Sequence, residues 1–197
     1  MKMRMDSNQK KRKVWRDTVA FFYKFIRHPH EIGSLIPSSE ALATAMTCCL
    51  RSTNVTRVAE LGAGTGVFTR HIMGQPQLVK ALIFEKDPDM RAVLCQQYSK
   101  AVCEEDATQL TRIMKREGLK ELDAVISGLP FAMFTVELRK RILDEVDAAL
   151  AIDGLFITFQ YSLQMKAMLA ERFDMERIRF VLWNFPPAFV YCCRKRR

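Results

Sequence analysis

Short apolar runs alternate with amphipathic stretches from residue 57 onward, and this alternation leaves few folds open. Arg57-Val-Ala-Glu-Leu61 reads as a short strand and Ala81-Leu-Ile-Phe-Glu85 as a second. Residues 100–103 form a weak third, Leu122-Asp-Ala-Val-Ile-Ser127 a fourth and Leu155-Phe-Ile-Thr-Phe159 a fifth. Helical segments fall between them at about 67–73, 87–98, 107–117 and 136–151. The last of these sets Leu138, Ile142, Val146, Ala149 and Leu150 at helical spacing behind Thr135 as N-cap. Parallel neighbours can be joined only by a crossover, and the crossing helices then cover both faces of the sheet. Arg177–Trp183 and Ala188–Cys192, joined by Asn184-Phe-Pro-Pro187, read as two further strands around a proline turn. The expected fold is α/β: a mostly parallel seven-stranded sheet with an antiparallel C-terminal edge hairpin.

The first strand runs into Glu60-Leu61-Gly62-Ala63-Gly64-Thr65-Gly66, and a helix follows. Glycines here permit a tight turn and close approach of a ligand to the backbone. Glu85 ends the second strand, 19 residues past Gly66, where a carboxylate can accept both hydroxyls of a ribose. The pattern is E-x-G-x-G-x-G rather than G-x-G-x-x-G, and an acid precedes the loop, which argues against a nicotinamide cofactor. Asp106, in Glu105-Asp106-Ala107 after the third strand, adds a third motif. In order and register over residues 55–192 these motifs resemble the class I S-adenosylmethionine-dependent methyltransferases. The resemblance implies a Rossmann-like domain with S-adenosylmethionine as cofactor and S-adenosylhomocysteine as product. It implies that the loop backbone and Glu60 face the methionine part, Glu85 with Lys86 the ribose, and Asp106 with Ala107 the adenine. Ser127, Gly128 and Leu129, and Ser38 and Ser39 ahead of a helix at Glu40–Leu50, complete the expected cofactor set. For the two serines, capping that helix is the plain alternative.

Ser127-Gly128-Leu129-Pro130-Phe131 is similar to the Asn-Leu-Pro-Phe/Tyr motif of rRNA adenine dimethyltransferases. Gly128 stands where that family has its asparagine, and no separate helical RNA-binding domain follows the last strand, so RNA is disfavoured as substrate and DNA is not expected. The chain resembles more closely the bacterial phospholipid N-methyltransferases. The residues that carry this are Phe25–Pro29, Gly33 with Ile36–Ser39, Glu60–Thr69, Ser127–Pro130, Phe159–Tyr161 and Trp183–Pro187. The resemblance implies stepwise methylation of phosphatidylethanolamine toward phosphatidylcholine, with ornithine lipids, or an RNA adenine, as alternative acceptors. Tyr161 is the first candidate for orienting the amine, with Tyr23 second and His30 for the proton. Pro130, Phe131 and Tyr161 are expected to line the acceptor pocket. Tyr161 could equally cover the core, and Trp183 with its prolines reads as hairpin packing.

Charge is placed unevenly. Residues 1–27 hold nine Lys/Arg against two Asp, residues 194–197 are all Lys/Arg, and residues 28–193 sum to −2 within a total of +9. A helix is expected over Val14–Ile26, with Trp15, Phe22, Phe25 and their apolar neighbours in one arc of about 160°. Lys10, Lys11, Arg12, Lys13 and Arg16 then supply the charge for an anionic membrane surface. No apolar run approaches a membrane span, and the stretch after the basic start carries Lys24 and Arg27 with no small-residue cleavage site. A cytoplasmic enzyme, peripheral on the inner face of the membrane, is expected. So is division into an N-terminal extension (1–50) and a cofactor-binding domain (51–197). The six cysteines make no C-x-x-C pair, so reduced thiols and no metal are expected.

Overall fold

The computed structural model describes residues 40–51 and 54–197. Its strands are β1 (Arg57–Leu61), β2 (Lys80–Phe84), β3 (Val102–Glu104), β4 (Leu122–Ser127), β5 (Leu150–Gln160), β6 (Phe173–Val181) and β7 (Ala188–Lys195). They form one sheet in the order β3-β2-β1-β4-β5-β7-β6. The first five run parallel, while β7 pairs antiparallel with both β5 and β6. Burial explains this order. β1, β2 and β4 are near-continuous apolar runs, as strands covered on both faces must be. β6 instead exposes Asp174, Glu176, Arg177 and Arg179, charges that suit an edge.

The helices are α1 (Glu40–Arg51), α2 (Val67–Met73), α3 (Pro88–Gln97), α4 (Leu110–Arg116), α5 (Val136–Ala149) and α6 (Lys166–Arg172). Leu110, Ile113, Leu143, Val146 and Leu169 from α4, α5 and α6 pack on one face with Phe131, Phe156 and Phe173. Leu42, Met46 and Leu50 of α1 join Phe68 and Ile72 of α2 on the other, against Ala124, Ile126, Ile157 and Val190. The helix placed by sequence in the N-terminal extension thus contributes to the sheet's second core.

Several elements differ from expectation. β5 is longer at both ends and takes Leu150 from the preceding helix. β6 starts at Phe173 and ends at Val181, so Leu182 and Trp183 belong to the turn. α6 was not foreseen. The stretch 107–117 opens with a 3-10 turn at Ala107–Gln109, because Asp106 caps it by accepting the Thr108 N–H at 2.9 Å. The helix expected over 14–26, the candidates Tyr23, His30, Ser38 and Ser39, and the basic residues assigned to the membrane (Lys10 to Lys13 and Arg16, with Trp15, Phe22 and Phe25) lie outside the described residues.

Candidate active site

β1 and β4 are neighbours, yet the chain leaves β1 for β2 on the other side, so the strand order reverses between them and their carboxyl ends open a crevice. Two loops meet there. Gly62 follows β1 with φ of 74°, and a Cβ on it would lie 2.8 Å from the Leu129 side chain. Gly128 follows β4 and donates its N–H to the Leu61 carbonyl at 2.8 Å. A Cβ on Gly128 would come within 2.7 Å of the Gly62 carbonyl oxygen. The site of the missing asparagine is therefore closed by backbone, and no side chain can enter without moving the glycine loop.

Glu60 points to the α1/α2 face. Thr69 of α2 donates its hydroxyl to Glu60 Oε2 at 2.6 Å, while Oε1 is buried without a partner among the described residues. Burial raises this carboxyl to about 7, the Thr69 bond opposing the rise and the nearby Glu85 adding to it. A buried polar atom without a partner is costly, and an arriving ammonium would supply both its hydrogen bond and its counter-charge.

Glu85 is fixed by backbone: Oε2 accepts the Gly64 N–H at 2.7 Å and Oε1 the Asp87 N–H at 2.8 Å. An ionised carboxylate offers about four acceptor sites, so each oxygen keeps capacity for a hydroxyl. Arg91 shapes the same corner by donating to the Glu85 carbonyl at 2.7 Å. Beside Glu85 lies an open cleft of about 530 Å³, in the range of small-molecule sites. Its lining is mixed, polar at Glu85, Lys86, Asp106 and Thr108 and apolar at Ala107, Leu129, Phe134, Leu138 and Ile142. Burial alone would raise Asp106, but the Thr108 hydroxyl and N–H outweigh it and hold the carboxyl below its ordinary value. Such a lining fits a nucleoside, with Glu85 to accept its hydroxyls and apolar side chains to cover a flat base. Gly64 leaves its Cβ direction open, with φ of 56°. The residues present thus fit S-adenosylmethionine.

Two expected ligand-facing residues are inside instead. Ser127 is fully buried, and its hydroxyl accepts the Leu129 N–H at 3.2 Å, shaping the turn. Phe131 is fully buried in the core, edge-on to Phe134 at 6.0 Å, and Phe134 takes the place on the cleft wall. Ala63 and Gly66 are likewise buried, Thr65 and Lys86 are exposed, and Pro130 is half-buried.

Tyr161 continues the line Leu155, Ile157, Phe159 along the α1/α2 face of β5. Its ring is edge-on to Phe159 at 5.6 Å, which is edge-on to Phe68 at 5.9 Å. The Phe68 ring in turn lies 3.6 Å from where a Gly128 Cβ would stand, so this aromatic wall reaches the crevice. Burial pushes the Tyr161 phenol up to about 12, and its hydroxyl has no hydrogen-bond partner among the described residues. The sequence reading missed Thr69, Phe134, Leu138 and Gln160. Gln160 donates to the Leu129 carbonyl at 3.1 Å and ties the end of β5 to the loop that follows β4. Thr69 and Gln160 lie inside the motifs Glu60–Thr69 and Phe159–Tyr161, which was the available signal.

Among known proteins, the chain is 32% identical over 186 residues to the ornithine lipid N-methyltransferase of Singulisphaera acidiphila, covering 91% of this chain and 96% of that one. No family model matches. The fold is shared with the N-methyltransferase NodS of Bradyrhizobium japonicum in complex with S-adenosylhomocysteine (TM-score 0.70, 13% identity, 83% of this chain and 90% of that one). It is shared also with the 1,6-didemethyltoxoflavin-N1-methyltransferase of Burkholderia thailandensis, with 1,6-didemethyltoxoflavin and S-adenosylhomocysteine bound (TM-score 0.67, 14% identity, 100% of this chain and 94% of that one).

Proposed function

The chain belongs to the lipid N-methyltransferase family that includes the ornithine lipid enzyme of Singulisphaera acidiphila, and from that premise we propose that it methylates the amine of a membrane aminolipid, an ornithine lipid ahead of phosphatidylethanolamine, with S-adenosylmethionine as donor. The near full-length match to that relative carries the reading. Sequence motifs alone put phosphatidylethanolamine first; the relative moves ornithine lipid ahead. Both headgroups end in a primary amine and differ in their anion, a carboxylate in one and a phosphate diester in the other.

When bound, S-adenosylmethionine supplies an electrophilic methyl group on a positively charged sulfur. Glu85 would accept the ribose hydroxyls, and Glu60 Oε1, which has no partner among the described residues, would hold the ammonium of the amino-acid end and favour the ionised carboxyl there. Phe134 and Leu138 would pack the base of the cofactor, and Asp106 would face its polar groups. Positioning of this kind carries much of the catalysis for a transfer whose leaving group is already good. The acceptor amine must be neutral to attack. Tyr161, itself neutral, accepts an amine N–H and turns the lone pair toward the crevice. The wall of Tyr161, Phe159 and Phe68 then offers π faces to the cation that develops. His71, the single histidine among the described residues, is engaged by Glu40 at 3.0 Å, and His30 remains our candidate for receiving the proton, with Tyr23 behind Tyr161.

No helix among the described residues is long and apolar enough to cross a membrane. Attachment at the inner, anionic surface through the basic residues of 1–27 belongs to this proposal. Each basic side chain contributes about 1 kcal/mol near such a surface.

The test offers labelled S-adenosylmethionine with vesicles of ornithine lipid, vesicles of phosphatidylethanolamine, and structured RNA. Label and a mass gain of whole methyl units in ornithine lipid are expected. Label in phosphatidylethanolamine alone moves the headgroup assignment back, and label in RNA alone overturns the aminolipid reading.

A further inference from the structure

We propose that the tip of the β6–β7 hairpin is a second membrane-docking element, which inserts Leu182 and Trp183 into the bilayer interface beside the mouth of the active site. This rests on the aminolipid reading above. Phe189 of β7 pairs with Gln160, so the turn between β6 and β7 stands beyond the carboxyl end of β5, next to Tyr161. The turn is anchored from within: Val181 and Ala188 are buried, and Asn184 donates its side-chain N–H to the Pro186 carbonyl at 2.7 Å. Leu182 and Trp183 are turned outward, 62% and 84% exposed. Hairpin packing, the sequence expectation for Trp183, is thus replaced by its opposite. Leu163, in the turn that follows β5 at this same end, is exposed as well.

Charge along the hairpin identifies the partner. At the far end, Arg172, Arg194, Arg196 and Arg197 are paired with Asp144, Glu176, Asp174 and Asp153. Past Glu176, Arg177 at mid-strand and Arg179 nearer the tip are exposed and form no ion pair among the described residues. Residues 177–194 contain no Asp or Glu. An aromatic and an aliphatic prong backed by unpaired arginines match the apolar boundary and anionic headgroups of a bilayer, where tryptophan is favoured. Docked this way, the bilayer surface lies against the carboxyl end of β5, and a lipid amine reaches the crevice while its acyl chains stay in the membrane.

Trp15 and Trp183 are the two tryptophans of the chain, so Trp15→Phe leaves Trp183 as the single reporter. With vesicles of phosphatidylglycerol and phosphatidylcholine, Trp183 emission is expected to shift to the blue and to be quenched by brominated acyl chains. The full chain carrying Leu182→Ser and Trp183→Ser is expected to bind these vesicles at least about tenfold more weakly. It should methylate vesicle lipid slowly and a dispersed short-chain aminolipid at the parental rate, with an unchanged melting temperature. Parental vesicle affinity in the double variant, or an unquenched Trp183 on vesicles that bind the protein, overturns the proposal. Emission already blue-shifted without lipid overturns it too, since the chain itself would then cover the tip. Absence of turnover by the parent on either form of lipid sinks the aminolipid reading instead, which the binding arms do not depend on.

Discussion

Glu60 links stability to ligand binding within one side chain. Its carboxyl is held at about 7, above the ordinary 4.5, so the folded chain keeps a proton that the unfolded chain has lost. Its effect on stability is therefore smallest below pH 4.5 and grows as pH rises toward 7. Above that it is constant, at roughly 3 kcal/mol of destabilisation of the ligand-free fold. Glu60→Gln is expected to melt higher than the parent at pH 8, by about 1–2 kcal/mol, with the advantage fading toward pH 5. Its affinity for S-adenosylhomocysteine should fall at least tenfold, because an amide offers the ammonium no charge. Melting curves between pH 5 and 9, with calorimetry of binding, decide this; no gain at pH 8 contradicts the assignment. Gly128→Asn would force Gly62 aside, so about 1–3 kcal/mol of stability should be lost together with cofactor affinity. Denaturant titration and calorimetry that both match the parent would contradict the clash. The positions of Glu60, Glu85 and Asp106 could be anticipated because each lies at or just past the carboxyl end of a strand, Glu60 next to last in β1 and the other two beyond β2 and β3. Ser127 was misread because its hydroxyl, at the last residue of β4, turns back to the Leu129 N–H, and Phe131 because the direction of its side chain depends on how the 3-10 turn Phe131–Met133 packs. Burial of Phe131 is decided by residues distant in sequence that share its core, Phe156 and Phe173 among them.

Elements are held in register by polar staples as well as apolar faces. Asp123 of β4 accepts the Thr56 N–H, the Thr56 hydroxyl and the Arg57 N–H, each at 2.8 Å, and pairs with the Arg57 guanidinium at 2.6 Å. Burial would raise this carboxyl, but the bonds from Arg57 and Thr56 outweigh it and hold it below its ordinary value. Its stabilising effect is therefore full above the unfolded value near 4 and is lost as pH falls through the lower folded value. Asp123→Ala should destabilise by about 2–3 kcal/mol near neutrality and by progressively less on acidification. Urea titration at pH 7 and pH 3 checks this, and an equal loss at both would exclude the carboxylate as its source. β1, α2 and β4 match the sequence reading to the residue, since period and breakers agree there. The first half of β6 was hidden by the register shift between Met175 and Arg177, which breaks the two-residue alternation on which a strand is read. α6 is as short as α2, but it has no glycine loop ahead of it and no glycine after it to mark its ends, and it runs directly into β6.

At the scale of the molecule, the crevice joins the two cores, so a ligand there should stabilise the whole. S-adenosylhomocysteine at a hundred times its Kd is expected to add about 2.7 kcal/mol to unfolding, and Glu85→Ala to remove most of that gain. Chemical denaturation with and without ligand measures both, and a gain retained in the variant would displace Glu85 from the site. Strand–helix alternation made the fold class readable, and the closing hairpin was readable as antiparallel. Which of its strands lies inside was written in the burial contrast between the apolar Ala188–Cys193 and the charged β6, a comparison that needs the sheet in view. That placement has a consequence for biosynthesis. β7 separates β5 from β6 yet is made after both, so β6 emerges from the ribosome before the strand that will hold it exists. Its charges keep it dissolved while it waits, and the far margin of the sheet closes only when the later strand slots into the gap.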